Sequence, residues 1–366
     1  YILIMPKITF KKPQIRSIVT TVGDKVVSIE SESEMMGLDE FTVNRLKKTI
    51  GLGTRRVVSN GVCTSDLCVQ SAEKIFEQGI INKQEIESVL LVTQTGDYKA
   101  PSTAIIIQDR LGLPVTTLAF DINLGCSGFV IGLLNAFSLV ESGLKNCLLL
   151  VGDISSNFSG KNDRTFTPLM GDAGSAILID NTSKSTSYFI TGSDGSGFDN
   201  LIIPSGGCRN PFSSESLTQK PDKDGVYRSS MDMYMNGAEV FNFTIKRIPP
   251  LIDDIISFSN LMKSDIDYFV LHQANQYILK SISKRLGLDE NTLPNKTQTE
   301  YGNQNSASIP GTINAYLSQS YSTSKLTSVF SGFGIGLSWG ACITKTNAIF
   351  CPPVMEYCNR NERNGN

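Results

Sequence analysis

The sequence predicts an α/β protein made of two similar halves, and three observations carry that expectation. Short apolar, β-branched runs alternate with helical stretches along most of the chain. The alternation restarts after a polar break at residues 180–187, and in both halves a buried strand hands a reactive type of residue to the start of a helix, at Cys126 and at His272.

In order, Val89-Leu90-Leu91-Val92-Thr93 has the composition of a buried strand. Residues 103–111 read as a helix closed by Gly112, and Leu118-Ala119-Phe120-Asp121-Ile122 as a second strand. Residues 128–142 form a long apolar helix stopped at Gly143; residues 147–151 and 173–179 return to strand. Beyond the break, residues 248–261 read as a helix and Tyr268-Phe269-Val270-Leu271 as a strand. Residues 276–286 form an amphipathic helix ended by Gly287, and residues 326–330 a strand before a Gly-rich turn. This alternation implies mostly parallel sheets covered by helices. The stretch 204–230, rich in Ser, Gly and Pro, reads as a surface excursion, and the polar tail 351–366 as an irregular extension. The expected units are therefore 1–183, carrying the reactive Cys; 184–350, carrying the His; and the tail.

Apolar residues make up 40 % of the 366, charged residues 19 %, as in ordinary globular proteins. With 33 basic against 35 acidic residues, bulk charge favours neither nucleic acid nor a membrane surface. No apolar run is long enough to span a bilayer, and the opening Tyr1-Ile2-Leu3-Ile4-Met5-Pro6 is too short for a signal segment. The eight cysteines follow no C-x-x-C spacing, which argues for reduced thiols in a cytoplasmic protein and against a zinc or disulfide framework.

Cys126 sits in Asn123-Leu124-Gly125-Cys126-Ser127-Gly128, where a strand ends and a long helix begins. A thiol at a helix N-terminus gains acidity from unpaired N–H groups, and flanking glycines leave room for a substrate carbonyl. A buried structural cysteine is the bland alternative. His272, the single histidine, follows a buried strand and precedes a helix; a satisfied core imidazole would fit there too. Asn303 lies in a loop dense in amides and hydroxyls, where turn and cap chemistry is the usual role.

Together these segments resemble the β-ketoacyl-acyl carrier protein synthase III family of the thiolase superfamily. The likeness rests on the Cys126 turn, Leu271-His272-Gln273-Ala274-Asn275, Tyr301-Gly302-Asn303 with the following Ser306-Ala307-Ser308-Ile309-Pro310, and Gly334-Ile335-Gly336-Leu337-Ser338-Trp339-Gly340. Gly171-Asp172-Ala173-Gly174 and Met235-Asn236-Gly237-Ala238-Glu239 also match. The resemblance implies a thiolase-like fold: internally duplicated α/β halves with mixed central sheets layered between helices. It implies that Cys126 takes an acyl group from acyl-CoA or an acyl carrier protein, and that malonyl-acyl carrier protein then condenses with it by decarboxylation. His272 and Asn303 would hold the enolate oxygen, and the backbone N–H groups of Cys126 and Ile335 would form an oxyanion hole. No permanently bound cofactor or metal is implied.

Thiolases carry a second catalytic Cys where this chain has Phe330, so thiolysis is disfavoured, and Cys342 reads as core. An acyltransferase that passes the Cys126-bound group to oxygen or nitrogen is the alternative, and a non-catalytic carrier-binding homologue a weaker one. The family's carrier-docking basics fall at Lys284 and Arg285, with Lys280 on the same helical face, and Arg164 matches a phosphate contact for CoA. Tyr277 replaces a usual basic residue, and the adenine-stacking Trp is missing near residues 45–48. Met170 and Phe333 are expected at the acyl pocket. Ala100 stands where relatives place a larger residue that reaches into the partner subunit's pocket. The expectation is a homodimer that accepts a starter larger than acetyl.

Overall fold

The apolar runs pair into two sheets that repeat one plan. The computed structural model describes residues 5–158, 160, 162–222 and 225–359. The strands are β1 (Lys7–Phe10), β2 (Gln14–Val22), β3 (Ser88–Val92), β4 (Leu118–Ile122), β5 (Asn146–Asp153) and β6 (Ala173–Asp180). They continue with β7 (Ser187–Ser193), β8 (Tyr268–Leu271), β9 (Leu326–Gly334), β10 (Ser338–Thr346) and β11 (Met355–Glu356). One sheet contains the order β2-β6-β5-β3-β4, the other β7-β10-β9-β8. In both, the first two pairings are antiparallel and the third parallel: β2/β6, β6/β5, β5/β3 against β7/β10, β10/β9, β9/β8. The sheets are thus mixed, correcting the mostly parallel reading from alternation; the duplication of the halves is visible strand for strand.

The repeat also revises which residues correspond. His272 follows β8, whose counterpart is β3, so its equivalent in the first half is the Thr93–Gln94 turn and not Cys126. Cys126 follows β4, an added edge strand paired parallel to β3.

Helices α1 (Thr64–Glu77) and α2 (Thr103–Arg110) pack on one face of the first sheet. Helix α3 (Gly128–Glu141) lies between the two sheets. It is apolar over most of its surface because both sheets bury it, with Ser138 left exposed. Its Phe129 meets Phe330 of β9 edge-on at 5.5 Å, and its Phe137 meets Phe189 of β7 at 5.5 Å. Helices α4 (Gly237–Ser259) and α5 (Gln276–Leu286) cover the outer face of the second sheet. Helix α4 begins well before the expected residue 248 and runs through Pro249 and Pro250. Its buried face, with Ile248, Leu251, Ile252 and Ile255 on the sheet, offsets the backbone bonds those prolines remove.

The chain ends cross between the sheets. β1 pairs with β7 in the second sheet, and β11 pairs parallel with the end of β2 in the first. Outside β11, residues 351–359 are irregular, as their polarity suggests, but they are fastened to the body: Cys351 is buried, and Asn314 Nδ2 donates to the carbonyl of Pro352 at 2.6 Å. Residues 360–366 lie outside the described region. The excursion 204–230 is anchored as well, by the Arg228 guanidinium on buried Asp163 at 2.7 Å.

Candidate active site

A cleft of about 670 Å³, its open mouth included, is lined by Cys126, His272, Asn303, Phe333 and Ile335 together with an apolar wall. Four turns bring these residues together. The Cys126 turn joins β4 to α3, with the Gly128 N–H bonded to the Gly125 carbonyl at 2.7 Å. His272 leaves the end of β8, its N–H on the Ser331 carbonyl of β9 at 2.8 Å. Asn303 is clamped by backbone bonds on both sides, its N–H to the Leu169 carbonyl at 2.7 Å and its carbonyl from the Gly171 N–H at 3.0 Å. The Gly-rich turn after β9 presents Ile335.

That last turn must be glycine-rich because it presses on the thiol. A Cβ on Gly334 would lie 2.6 Å from Cys126 Cβ and 2.8 Å from its sulfur, so no side chain fits. The backbone N–H groups of Ile335 and Cys126 reach the sulfur and act to lower the thiol pKa. Burial outweighs them and pushes the thiol up to about 12, against the depression expected from a helix N-terminus. The resting group is therefore the thiol, and Cys126 lies two residues ahead of the helix proper.

His272 is buried, and burial pulls its pKa down to about 3, with the Asn305 carbonyl opposing weakly. The ring stays neutral at ordinary pH. Its Nδ1 is 2.7 Å from the Ser308 hydroxyl, and Phe333 meets the ring edge-on at 5.6 Å. Asn303 Oδ1 accepts the Asn305 N–H at 2.9 Å, which leaves its Nδ2 as the donor for the cleft.

The acyl-pocket candidates separate. Met170 and Phe333 line the cleft, alongside Phe158, Phe166, Leu201, Met233 and Met235. Ala100 does not line it within its own chain; it is exposed in the loop before α2. Arg164 is exposed close to Phe166 in sequence, and Lys280, Lys284 and Arg285 are exposed on the outer face of α5. Phe330 points into the core against Phe129 and pairs across the sheet with buried Cys342, so neither brings a second thiol to the cleft. Sequence reasoning missed Gln94, Asn305, Ser308 and Asp153. The last is fully buried, held by the Ser306 hydroxyl at 2.6 Å and the Gln94 N–H at 2.7 Å, and burial raises its pKa to about 6. Among the described residues no cluster of His, Cys, Asp and Glu suited to a metal is present.

A partly open thiol, a neutral imidazole, an amide donor and two backbone N–H groups around one apolar cleft, on a duplicated five-layer scaffold, define a condensing enzyme of the thiolase fold. Family models for 3-oxoacyl-[acyl-carrier-protein] synthase III match residues 120–195 and, for its C-terminal part, 256–346. The chain is 37 % identical over 301 residues to the beta-ketoacyl-[acyl-carrier-protein] synthase III of Clostridioides difficile, covering 81 % of this chain and 87 % of that one. It is 34 % identical over 337 residues to the enzyme of the same name from Aliarcobacter butzleri, covering 90 % and 96 %. The crystal structure of a 3-oxoacyl-(acyl-carrier protein) synthase from Burkholderia xenovorans LB400 matches with a TM-score of 0.89 at 32 % identity, over 96 % of this chain and 99 % of that chain. The chain belongs to the 3-oxoacyl-[acyl-carrier-protein] synthase III family, and it is an acyltransferase of the condensing type.

Proposed function

We propose that Cys126 receives an acyl group from acyl-CoA or an acyl carrier protein, and that a malonyl group on acyl carrier protein then extends it by two carbons. In the first stage the sulfur bonds to the thioester carbonyl, the donor's thiolate leaves, and the oxyanion rests on the N–H groups of Cys126 and Ile335. In the second, loss of carbon dioxide from malonyl thioester leaves an enolate whose oxygen is held by His272 and Asn303; its carbon attacks the acyl-Cys126 carbonyl and returns the sulfur. The observation that carries this reading is that buried His272 and the Asn303 amide line the same cleft as Cys126, with burial favouring the neutral imidazole, since decarboxylation calls for donors and no base.

The starter is larger than acetyl: aromatic and methionine side chains wall the cleft, and methionine adapts to a chain of varying shape. Two copies pair through the open edge of β4. Val115 just before it is 96 % exposed, Leu118 on it 46 %, and Ile105 on neighbouring α2 47 %, an unpaired strand edge bordered by apolar side chains. In that arrangement Ala100 borders the partner's acyl pocket. The carrier docks on Lys280, Lys284 and Arg285, and Arg164 meets a phosphate of CoA. Eight unpaired cysteines support a cytoplasmic setting; no helix among the described residues is long and apolar enough to cross a membrane.

Intact-protein mass spectrometry with acyl-CoA and acyl-carrier donors of graded length tests the reading. The expected result is an acyl adduct on Cys126, absent in Cys126→Ala, formed faster from medium-chain donors than from acetyl-CoA and discharged by malonyl carrier protein. An adduct that survives in Cys126→Ala, or one discharged only by an alcohol or amine, would overturn it.

A further inference from the structure

Asn305 touches all three reactive groups of the cleft. Its Oδ1 lies 3.3 Å from the Cys126 sulfur, its N–H donates to Asn303 Oδ1 at 2.9 Å, and its carbonyl faces the His272 ring. It does so from a left-handed backbone conformation, φ 49°, which asparagine tolerates better than most residues. The amide has a second partner: Nδ2 points to Gln94 Oε1 at 3.4 Å. Gln94 is fixed in turn by its N–H on buried Asp153. Because Nδ2 is engaged by an acceptor, Oδ1 is the atom left for the sulfur, and an acceptor there can only take the thiol proton.

We propose that Asn305 is a catalytic residue of the acyl-transfer step, its Oδ1 accepting from the Cys126 thiol and keeping the sulfur protonated and aimed until the acyl donor is bound, with Gln94 as the positioning residue that turns Oδ1 towards it. The inference rests on the reading of Cys126 as the nucleophile. A hydrogen bond to the neutral form opposes ionisation, so the amide works in the same direction as burial. The titratable groups facing the sulfur are His272, from the turn after β8, and Asp153, from the end of β5 behind Gln94. During transfer the Cys126 sulfur–carbon bond forms, the donor's carbon–sulfur bond breaks, and the thiol proton ends on the leaving thiolate. Asn305 keeps its own protons throughout.

The test is the pH profile of Cys126 alkylation by iodoacetamide, localised by peptide mass spectrometry, alongside acylation by octanoyl-CoA. Asn305→Ala removes the acceptor, so its profile moves to lower pH while acylation slows about tenfold, the scale of one lost hydrogen bond. Asn305→Asp puts a stronger, charged acceptor beside the sulfur, so its profile moves to higher pH. Gln94→Leu releases the amide and moves the profile in the same direction as Asn305→Ala, with no further shift in the double variant. Profiles for both Asn305 variants that coincide with the parent, or that move the same way, overturn the proposal even where octanoyl-Cys126 forms. Failure of the parent to form that adduct at all overturns the nucleophile reading, and this inference with it.

Discussion

His272 can serve as a donor because its surroundings keep it neutral. Burial lowers its pKa to about 3 from the ordinary imidazole value of 6.5, so below pH 6.5 an unfolded chain takes up a proton there that the folded protein does not. Its contribution to stability is therefore intact above pH 6.5 and is lost as pH falls towards about 3, by roughly 1.4 kcal/mol per unit. Asp153 works the other way. Its pKa is raised from 3.8 to about 6, so its contribution is present below 3.8 and lost as pH rises through about 6. Between 3.8 and about 6 the two slopes oppose each other. In urea unfolding, His272→Asn should therefore become relatively more stable than the parent as pH falls below 6.5. Kinetically, His272→Ala or Asn303→Ala should slow condensation with malonyl carrier protein about 10²–10³-fold and leave the Cys126 acylation rate within a few fold. Single-turnover assays of each stage separate the two. Equal losses in both stages would mean that these residues shape Cys126 instead of holding the enolate.

At the scale of elements, what could be read from the sequence was what is local. The strand–turn–helix around Cys126 and the strand before His272 follow from short-range patterning, and the glycine at 334 declares a close approach. The partners that tune those residues come from afar: Gln94 reaches Asn305 across 211 residues, and Ser308 meets His272 across 36. Only sheet packing sets those distances, and nothing in the spacing of the residues announces them. The C-terminal segment escaped for a different reason. A strand added by backbone pairing at a sheet edge needs no apolar alternation, so its polar sequence looked structureless. Phe350 bonds backbone to backbone with Arg16 and Ile18, Tyr357 with Val22, and Gln70 accepts the Cys358 N–H at Oε1 and donates from Nε2 to the Glu356 carbonyl. Truncation after Pro353 should lower Tm by a few degrees, on the scale of about 2–4 °C per kcal/mol lost, with acylation of Cys126 retained below the new transition. Differential scanning fluorimetry of the two chains checks this, and an unchanged Tm would make β11 a passive appendage.

Across the whole molecule, the proposed reaction and pairing call on two surfaces. Helix α5 turns exposed Lys280, Lys284 and Arg285 outward, while its buried Ile278 and Leu279 pack towards the cleft and the second sheet. Replacing Lys284 and Arg285 by Glu should raise KM for malonyl carrier protein about tenfold or more and leave KM for malonyl-CoA unchanged, because rim charges steer an acidic partner more than a small substrate. The open β4 edge is the second surface. Left alone, it presents unpaired N–H and C=O groups beside Leu118 and Val115, a combination that soluble proteins usually cover. A partner copy meeting it edge to edge would continue the first sheet through both subunits. The loop carrying Ala100 would then come against the other subunit's cleft, joining chain-length choice to assembly. Val115→Lys with Leu118→Lys adds like charge to both sides of that junction. The expected outcome is a monomer by sedimentation velocity, with Cys126 still acylated but with the preference for medium-chain donors over acetyl-CoA weakened. A variant that still sediments as a dimer would move the interface elsewhere, and a monomer with its chain-length preference intact would put the whole acyl pocket within one chain.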